Sequence, residues 1–127
     1  MAWKDIQWQS MVDPSTGVRI YRLAGFLSDS ERSFALLEQV RSDMRLEPHP
    51  ALLDLTGIEP LTSSGVGIIA AIYTSGQNAT MDLALMGLNA RSRLILQLVG
   101  LLRLIRAFDA EQDALAAHAD GGWKVPG

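Results

Sequence analysis

Residues 51–69, ALLDLTGIEPLTSSGVGII, restrict the fold more than any other part of the chain. An apolar run of the kind found in a buried strand ends in a polar loop. The loop opens straight into a helical pattern through Thr62-Ser63-Ser64-Gly65. A strand-to-helix connection of this sort exposes the first backbone N–H groups of the helix, which lack intrahelical partners. Those donors and the helix dipole favour an anion. Two or three hydroxyls sit beside them, so a phosphate placed covalently on one of them meets a partly prepared site. The arrangement suggests a switch more than an enzyme.

The remaining segments supply a setting for this unit. Residues 6–12 read as a first strand, followed by the turn cluster Asp13-Pro14-Ser15-Thr16-Gly17. Residues 18–23 alternate only roughly, but their β-branched and aromatic content predicts a second strand that Gly25 closes. Ser28 or Asp29 is the expected cap of a first helix. Its core-facing residues are predicted to be Phe34, Leu37, Val40 and Met44, and it stops before Pro48. Residues 51–55 form the central strand. The second helix starts near Ser64, with an apolar stripe of Val66, Ile69, Ala70 and Tyr73, and ends at Gly76 and Asn78.

Residues 81–86 are the next strand. Asn89 caps a third helix built on Leu94, Ile95, Leu98 and Val99, which Gly100 ends. Residues 104–107 are a short last strand. Asp109 and Gln112 have capping-box spacing ahead of a final helix that runs through residues 114–119, and Gly121-Gly122 starts a tail. Strands alternating with helices predict an α/β fold: a mostly parallel sheet of four to five strands covered by about four helices.

The bulk properties fit one domain. The chain has 127 residues, enough for a single core, and spans one unit over residues 1–127 with short extensions at both ends. A formal charge of −3 leaves no basic excess to recruit nucleic acid or anionic lipid, so no nucleic-acid partner is expected. With no cysteine there are no disulfides and no thiolate metal sites, which suits a reducing cytoplasm, the expected location. Met1-Ala2-Trp3-Lys4-Asp5 has no apolar segment of a secretion signal. Residues 94–105 are the longest apolar stretch, and Gln97, Gly100 and Arg103 break it. It is too short to span a bilayer, so the chain is not expected to be integral to a membrane.

Several pieces together resemble the STAS domain family (sulphate transporter and anti-sigma-factor antagonist). Gly25-Phe26-Leu27 resembles the glycine-leucine turn before the first helix. Leu53-Asp54-Leu55-Thr56-Gly57-Ile58 resembles the central strand and its hydrophobic continuation. Ser63-Ser64-Gly65-Val66-Gly67 resembles the D-S-S/T-G-L-G loop. Leu85-Met86-Gly87-Leu88, Gly100-Leu101, Phe108-Asp109 and Ala114-Leu115 resemble the later strand, glycine-leucine pair, turn and helix. The pieces fall in the family's order over residues 18–117.

The resemblance implies the STAS fold and a role seen in bacterial members of the family. They bind an anti-sigma factor serine kinase and release the sigma factor, and phosphorylation of the serine after the loop aspartate breaks the complex. Carried onto this sequence, the acceptor is Ser63. Two positions depart from the pattern. Thr62 stands where the aspartate is usual, and the acidic residue of the glycine-leucine turn falls at Ser28, with Asp29 one step later.

Each candidate residue has a plainer reading beside the functional one. Ser63 is also a good N-cap, worth about 1 kcal/mol over alanine, and Ser64 is the other cap candidate. Gly65 and Gly67 lack the lysine of a phosphate-cradling loop, so close helix packing explains them better. Asp54 has no ligand or acid–base partner nearby in sequence and is expected to bond loop backbone. His49 and His118 are the only histidines, and neither is placed by the sequence beside Ser63, so hydrolase chemistry is not expected. Leu96 and Leu102 fall at predicted outward positions and, with Ile68 and Ile72, are candidates for a partner patch. Trp3, Trp8 and Trp123 pack the extensions onto the domain, or form a homodimer contact.

The expectation is therefore a protein–protein switch with no catalytic residue, metal or cofactor. Its partner-binding surface comprises Thr62, Ser64, Gly65, Val66 and Gly67 with Ser28 and Asp29, around the phosphoacceptor Ser63 and with Asp54 as a structural neighbour. The alternatives are a STAS scaffold that is not phosphorylated, in a signalling assembly or a transporter, and a small-ligand binder or enzyme using the same loop.

Overall fold

The computed structural model describes residues 4–59 and 61–125. Trp3 lies outside the described residues. The first strand, β1 (Gln7–Val12), runs antiparallel to β2 (Arg19–Gly25) through the Asp13–Gly17 turn, where the Asp13 carboxylate accepts from the Thr16 amide and hydroxyl. Three crossovers follow. They are α1 (Glu31–Leu46) to β3 (Ala51–Ile58), α2 (Ser63–Asn78) to β4 (Leu83–Met86), and α3 (Ala90–Leu98) with a 3-10 turn (Leu101–Arg103) to β5 (Arg106–Phe108). The last helix is α4 (Glu111–Ala119). The sheet order is β1-β2-β3-β4-β5, and β2 to β5 are parallel.

Alternation along the strands builds two layers of core. Tyr21 and Leu23, Leu53 and Leu55, and Leu83 and Leu85 point to one face. There they meet Leu36, Leu37, Val40 and Met44 of α1, Ile68, Ile69 and Ile72 of α2, and Leu96 of α3. The intervening residues Ile20, Leu52, Ala84 and Met86 point to the other face, which Ala114 of α4 and Trp123 cover. Helices α1, α2 and α3 thus cover one face of the sheet in chain order, with α1 packed against α2, as successive crossovers between neighbouring strands require.

The structure corrects several local expectations. The cap of α1 is Ser30, whose Oγ accepts from the Ser33 amide at 3.1 Å, and not Ser28 or Asp29. Phe34 is exposed, because the core arc of α1 passes through Ser33, Leu36, Leu37, Val40 and Met44. Helix α2 begins at Ser63 under a Thr62 cap. Its buried stripe is Gly65, Ile68, Ile69, Ile72 and Gly76, with Val66, Ala70 and Tyr73 at the edge. Gly76 lies inside the helix, which ends at Asn78. Residues 81 and 82 precede β4 rather than belonging to it.

Asn89 caps α3 as expected, accepting from the Ser92 amide at 2.7 Å. The helix is rotated from the predicted setting: Ser92 and Leu96 face inward, while Leu94, Leu98 and Val99 are exposed. Gly100 ends it with φ +86. Leu104 precedes the last strand, which occupies Arg106–Phe108. Ala110 is the N-cap position of α4 and makes no side-chain cap bond; the Asp109 carboxylate pairs instead with Arg93 at 3.1 Å.

Trp123 docks the C-terminal segment. Its indole N–H donates to the Ala114 carbonyl and its amide donates to the Asp82 carboxylate, both at 2.8 Å, and its ring stacks edge-on against His118. Trp8 is half-buried beneath the Arg32 guanidinium, 4.9 Å from the ring centre. These two tryptophans anchor the extensions to the domain.

Candidate functional site

The C-terminal ends of β2 and β3 bring two loops together. Thr62 joins them. Its backbone is extended, its Oγ1 accepts from the Gly65 amide at 3.2 Å, and its hydroxyl lies 3.3 Å from the Leu27 carbonyl as donor. Gly65 makes the approach close: a Cβ there would sit 2.6 Å from the Leu27 carbonyl oxygen. Glycine is needed here for space, since its backbone is ordinary helix.

Because Thr62 holds the cap, neither Ser63 nor Ser64 is required for it. Ser63 occupies the first helical position with its side chain exposed, and its hydroxyl has no hydrogen-bond partner among the described residues. Ser64 and Val66 are half-buried, Gly65 is buried, and Gly67 is exposed with open space where a Cβ would stand. The first turn of α2 carries no acidic residue, so the positive end of the helix dipole has no compensating carboxylate within it.

The neighbouring turn divides into a structural part and an exposed part. Ser28 is buried; its amide donates to Ser33 Oγ at 3.1 Å and its Oγ accepts from the Ser30 amide at 3.2 Å. Ser30 Oγ reaches Asp5 at 2.7 Å. Ser28 therefore belongs to the cap of α1 and offers no side chain to a partner. Asp29 faces solvent.

Asp54 sits on the opposite face of the sheet. Its carboxylate accepts from the Thr56 amide at 3.0 Å, a backbone bond within β3 rather than to the loop the sequence suggested, and pairs with Arg22 at 3.2 Å. Arg22 also meets Glu111 of α4 at 2.8 Å, and the hydrogen bond to Glu111 pushes its pKa up. The cluster ties β2, β3 and α4 together.

The histidines are remote from Ser63. His49 Nδ1 lies 2.7 Å from the Gly17 carbonyl at the start of β3, and His118 is stacked on Trp123. Among the described residues no three metal-ligating side chains converge. A groove of about 850 Å³ lies at the other end of the sheet, lined by Tyr73, Gly76, Met81, His118 and Trp123, and does not reach the Thr62–Gly67 loop. Ile68, Ile72 and Leu96 are core residues and Leu102 is half-buried, so they form no surface patch. No described helix is long and apolar enough to cross a membrane.

Comparison with known proteins agrees with the fold. The family model described as the STAS domain matches residues 9–114. No curated protein matches the sequence. An anti-sigma factor antagonist from Mycobacterium paratuberculosis is similar in structure at 24% identity and a TM-score of 0.75, covering 89% of this chain and 93% of its own. The anti-sigma factor antagonist SpoIIAA in its unphosphorylated form is similar at 16% identity and a TM-score of 0.74, covering 90% and 97%. The Bacillus cell fate determinant SpoIIAA in the phosphorylated form is similar at 15% identity and a TM-score of 0.67, covering 87% and 98%.

Proposed function

The chain belongs to the STAS domain family, and from that premise we propose that it is an anti-sigma factor antagonist-like switch controlled at Ser63. The partner is an anti-sigma factor serine kinase, which binds and uses the ATP, and the setting is the cytoplasm. One observation carries the reading: Thr62 holds the helix cap and leaves the Ser63 hydroxyl exposed at the first position of α2. That structures named SpoIIAA exist in phosphorylated and unphosphorylated forms supports it.

The binding surface is Ser63, Gly67, the exposed edges of Ser64 and Val66, and Asp29. A phosphate on Ser63 adds roughly −1.5 to −2 charges. It is held locally by the uncompensated helix N-terminus, and it disrupts a desolvated protein contact across the same loop by charge and by volume. Thr62 does the capping work of an aspartate without its charge, so the unmodified loop presents no carboxylate beside the acceptor. No catalytic residue is assigned.

The test uses the candidate kinase encoded nearest this gene, with ATP and phosphate mapping by mass spectrometry. Phosphate on Ser63 that is absent in Ser63→Ala, with Ser63→Asp binding the kinase more weakly than the wild type, is the expected result. Stable binding without phosphate overturns the switch in favour of a constitutive scaffold. Ser63→Ala and Ser63→Asp binding equally well does the same.

A further inference from the structure

Helices α1 and α3 each expose apolar side chains on the face turned away from the sheet. On α3, Leu94 and Leu98 are 54% and 77% exposed, and at 100° per residue they share one outward arc with Arg91. On α1, Phe34 is 51% exposed and shares its outward arc with Glu31 and Glu38. The two arcs have the same spacing, i, i+3, i+7: Glu31-Phe34-Glu38 and Arg91-Leu94-Leu98.

Their charges are opposite. Residues 83–108 contain Arg91, Arg93, Arg103 and Arg106 and no acidic residue, within a chain whose formal charge is −3. Arg93 pairs with Asp109 and Arg106 lies over the Phe108 ring, so Arg91 and Arg103 remain without an ion-pair partner among the described residues. Glu31 likewise has none, whereas Glu38 is already paired with Arg41 at 2.7 Å, so the free charge of the α1 arc is Glu31. Between the two arcs, α2 carries no charged residue.

We propose that the α1–α2–α3 layer is a homodimer interface, in which Glu31 and Phe34 of one copy meet Arg91 and Leu94 of the second. The order of the helices supplies the symmetry. A two-fold axis lying along α2, in the plane between two facing layers, carries α1 over α3 of the second copy and α3 over α1, with the helices parallel. Glu31 is the first residue of α1 and Arg91 the second of α3, so each matched arc begins in the first turn of its helix. The interface is isologous and closed, and each charge pair and each Phe–Leu contact occurs twice. A membrane fits the same face less well: anionic surfaces are read by clusters of about four to eight cations, whereas only Arg91 and Arg103 of the four arginines here are unengaged among the described residues, and the rest of this chain is acidic. The interface goes beyond the switch proposed above; because it covers the outward face of α2 that carries Ser63 and Gly67, dimerisation and kinase binding at that loop exclude one another, while the test of the interface needs no kinase.

Sedimentation equilibrium of the full chain over a concentration series tests this. The wild type is expected to shift from monomer to twice the chain mass. Arg91→Glu and Glu31→Arg are each expected to weaken dimerisation roughly tenfold or more, since every pair is reversed at two places. The double variant Glu31→Arg/Arg91→Glu is expected to return most of the affinity. All these sites are exposed, and circular dichroism confirms folding. A wild type that stays monomeric at submillimolar concentration overturns the proposal, and so does monomer that floats with phosphatidylserine vesicles. A dimer indifferent to both single reversals also overturns it.

Discussion

The Leu27 carbonyl oxygen and the Thr62 hydroxyl lie 3.3 Å apart, across the gap between the β2–α1 turn and the start of α2. This contact lets a neutral side chain do two jobs. Thr62 accepts the Gly65 amide, which satisfies one of the unpaired donors of the helix, and donates across to the neighbouring loop. An ionised aspartate could cap the helix but has no proton for Leu27. The two loops are therefore held in register without a carboxylate next to Ser63.

This division of labour is measurable in stability. Thr62→Ala removes the cap and the bond to Leu27 and should lower the unfolding free energy by about 1 kcal/mol, with 2 as the upper end. Ser63→Ala touches neither and should stay within about 0.5 kcal/mol of the wild type. Urea denaturation of both variants checks the contrast. A larger loss in Ser63→Ala than in Thr62→Ala would return the cap to Ser63.

Gly65 and Gly67 are two residues apart on α2 and should respond in opposite directions. A Cβ on Gly65 meets the Leu27 carbonyl at 2.6 Å, a backbone atom that cannot swing aside, so Gly65→Ala should destabilise by about 1–3 kcal/mol. Gly67 has open space, and Gly67→Ala should stabilise by roughly 0.5–1 kcal/mol through helix propensity. Thermal melts compare the two directly. If Gly67 lets a partner's backbone approach α2, Gly67→Ala will also weaken partner binding while raising the melting temperature.

The strand–loop–helix unit was more legible in the sequence than the helix faces were. The strand–loop–helix unit and the Asn89 cap are local chemistry, legible from a few adjacent residues. The face of α3 was not. Leu94, Ile95, Leu96 and Leu98 point in three different directions around the helix, so periodicity alone cannot rank them. The strands and the Asn89 entry turn settle it in favour of Leu96. Helix α2 fails the same way, since Val66, Ile68, Ile69, Ile72 and Tyr73 surround most of it with apolar side chains. Asp109 has the spacing of a cap, but its carboxylate is drawn to Arg93, sixteen residues away, which no local pattern reveals. The burial of Ser28 depends on Ser33 and Ser30 folding back over it, again a matter of tertiary approach.

Tyr21 should give the protein an alkaline limit. Its side chain is buried under α1 and donates to Asp43 at 2.7 Å. Burial, and then the hydrogen bond to the Asp43 carboxylate, raise its pKa far above the ordinary tyrosine range. The neutral phenol is favoured by folding, so the unfolded chain loses this proton first. The stabilisation is complete below about pH 10 and is lost above it, with a slope approaching about 1.4 kcal/mol per pH unit. Tyr21→Phe should be less stable at neutral pH, because it abandons Asp43, and should lose that part of the alkaline slope. Unfolding curves between neutral and alkaline pH for both proteins decide it. Equal slopes would mean Tyr21 titrates normally.

The rotation of α3 can be read from two leucines one half-turn apart. Leu96 is fully buried in the core between the helices and the sheet, whereas Leu98 is 77% exposed. Truncating Leu96 to alanine removes buried methyls and leaves a cavity among neighbours that are themselves packed, so a loss of about 2–5 kcal/mol is expected. Leu98→Ala removes side chain that is already in water and should change the monomer's stability by less than about 0.5 kcal/mol. Chemical denaturation at concentrations low enough to keep the chain monomeric separates this from any effect on association. Losses in the reverse order would place the Leu94–Leu98 arc in the core, and with it would remove the exposed apolar face on which the dimer depends.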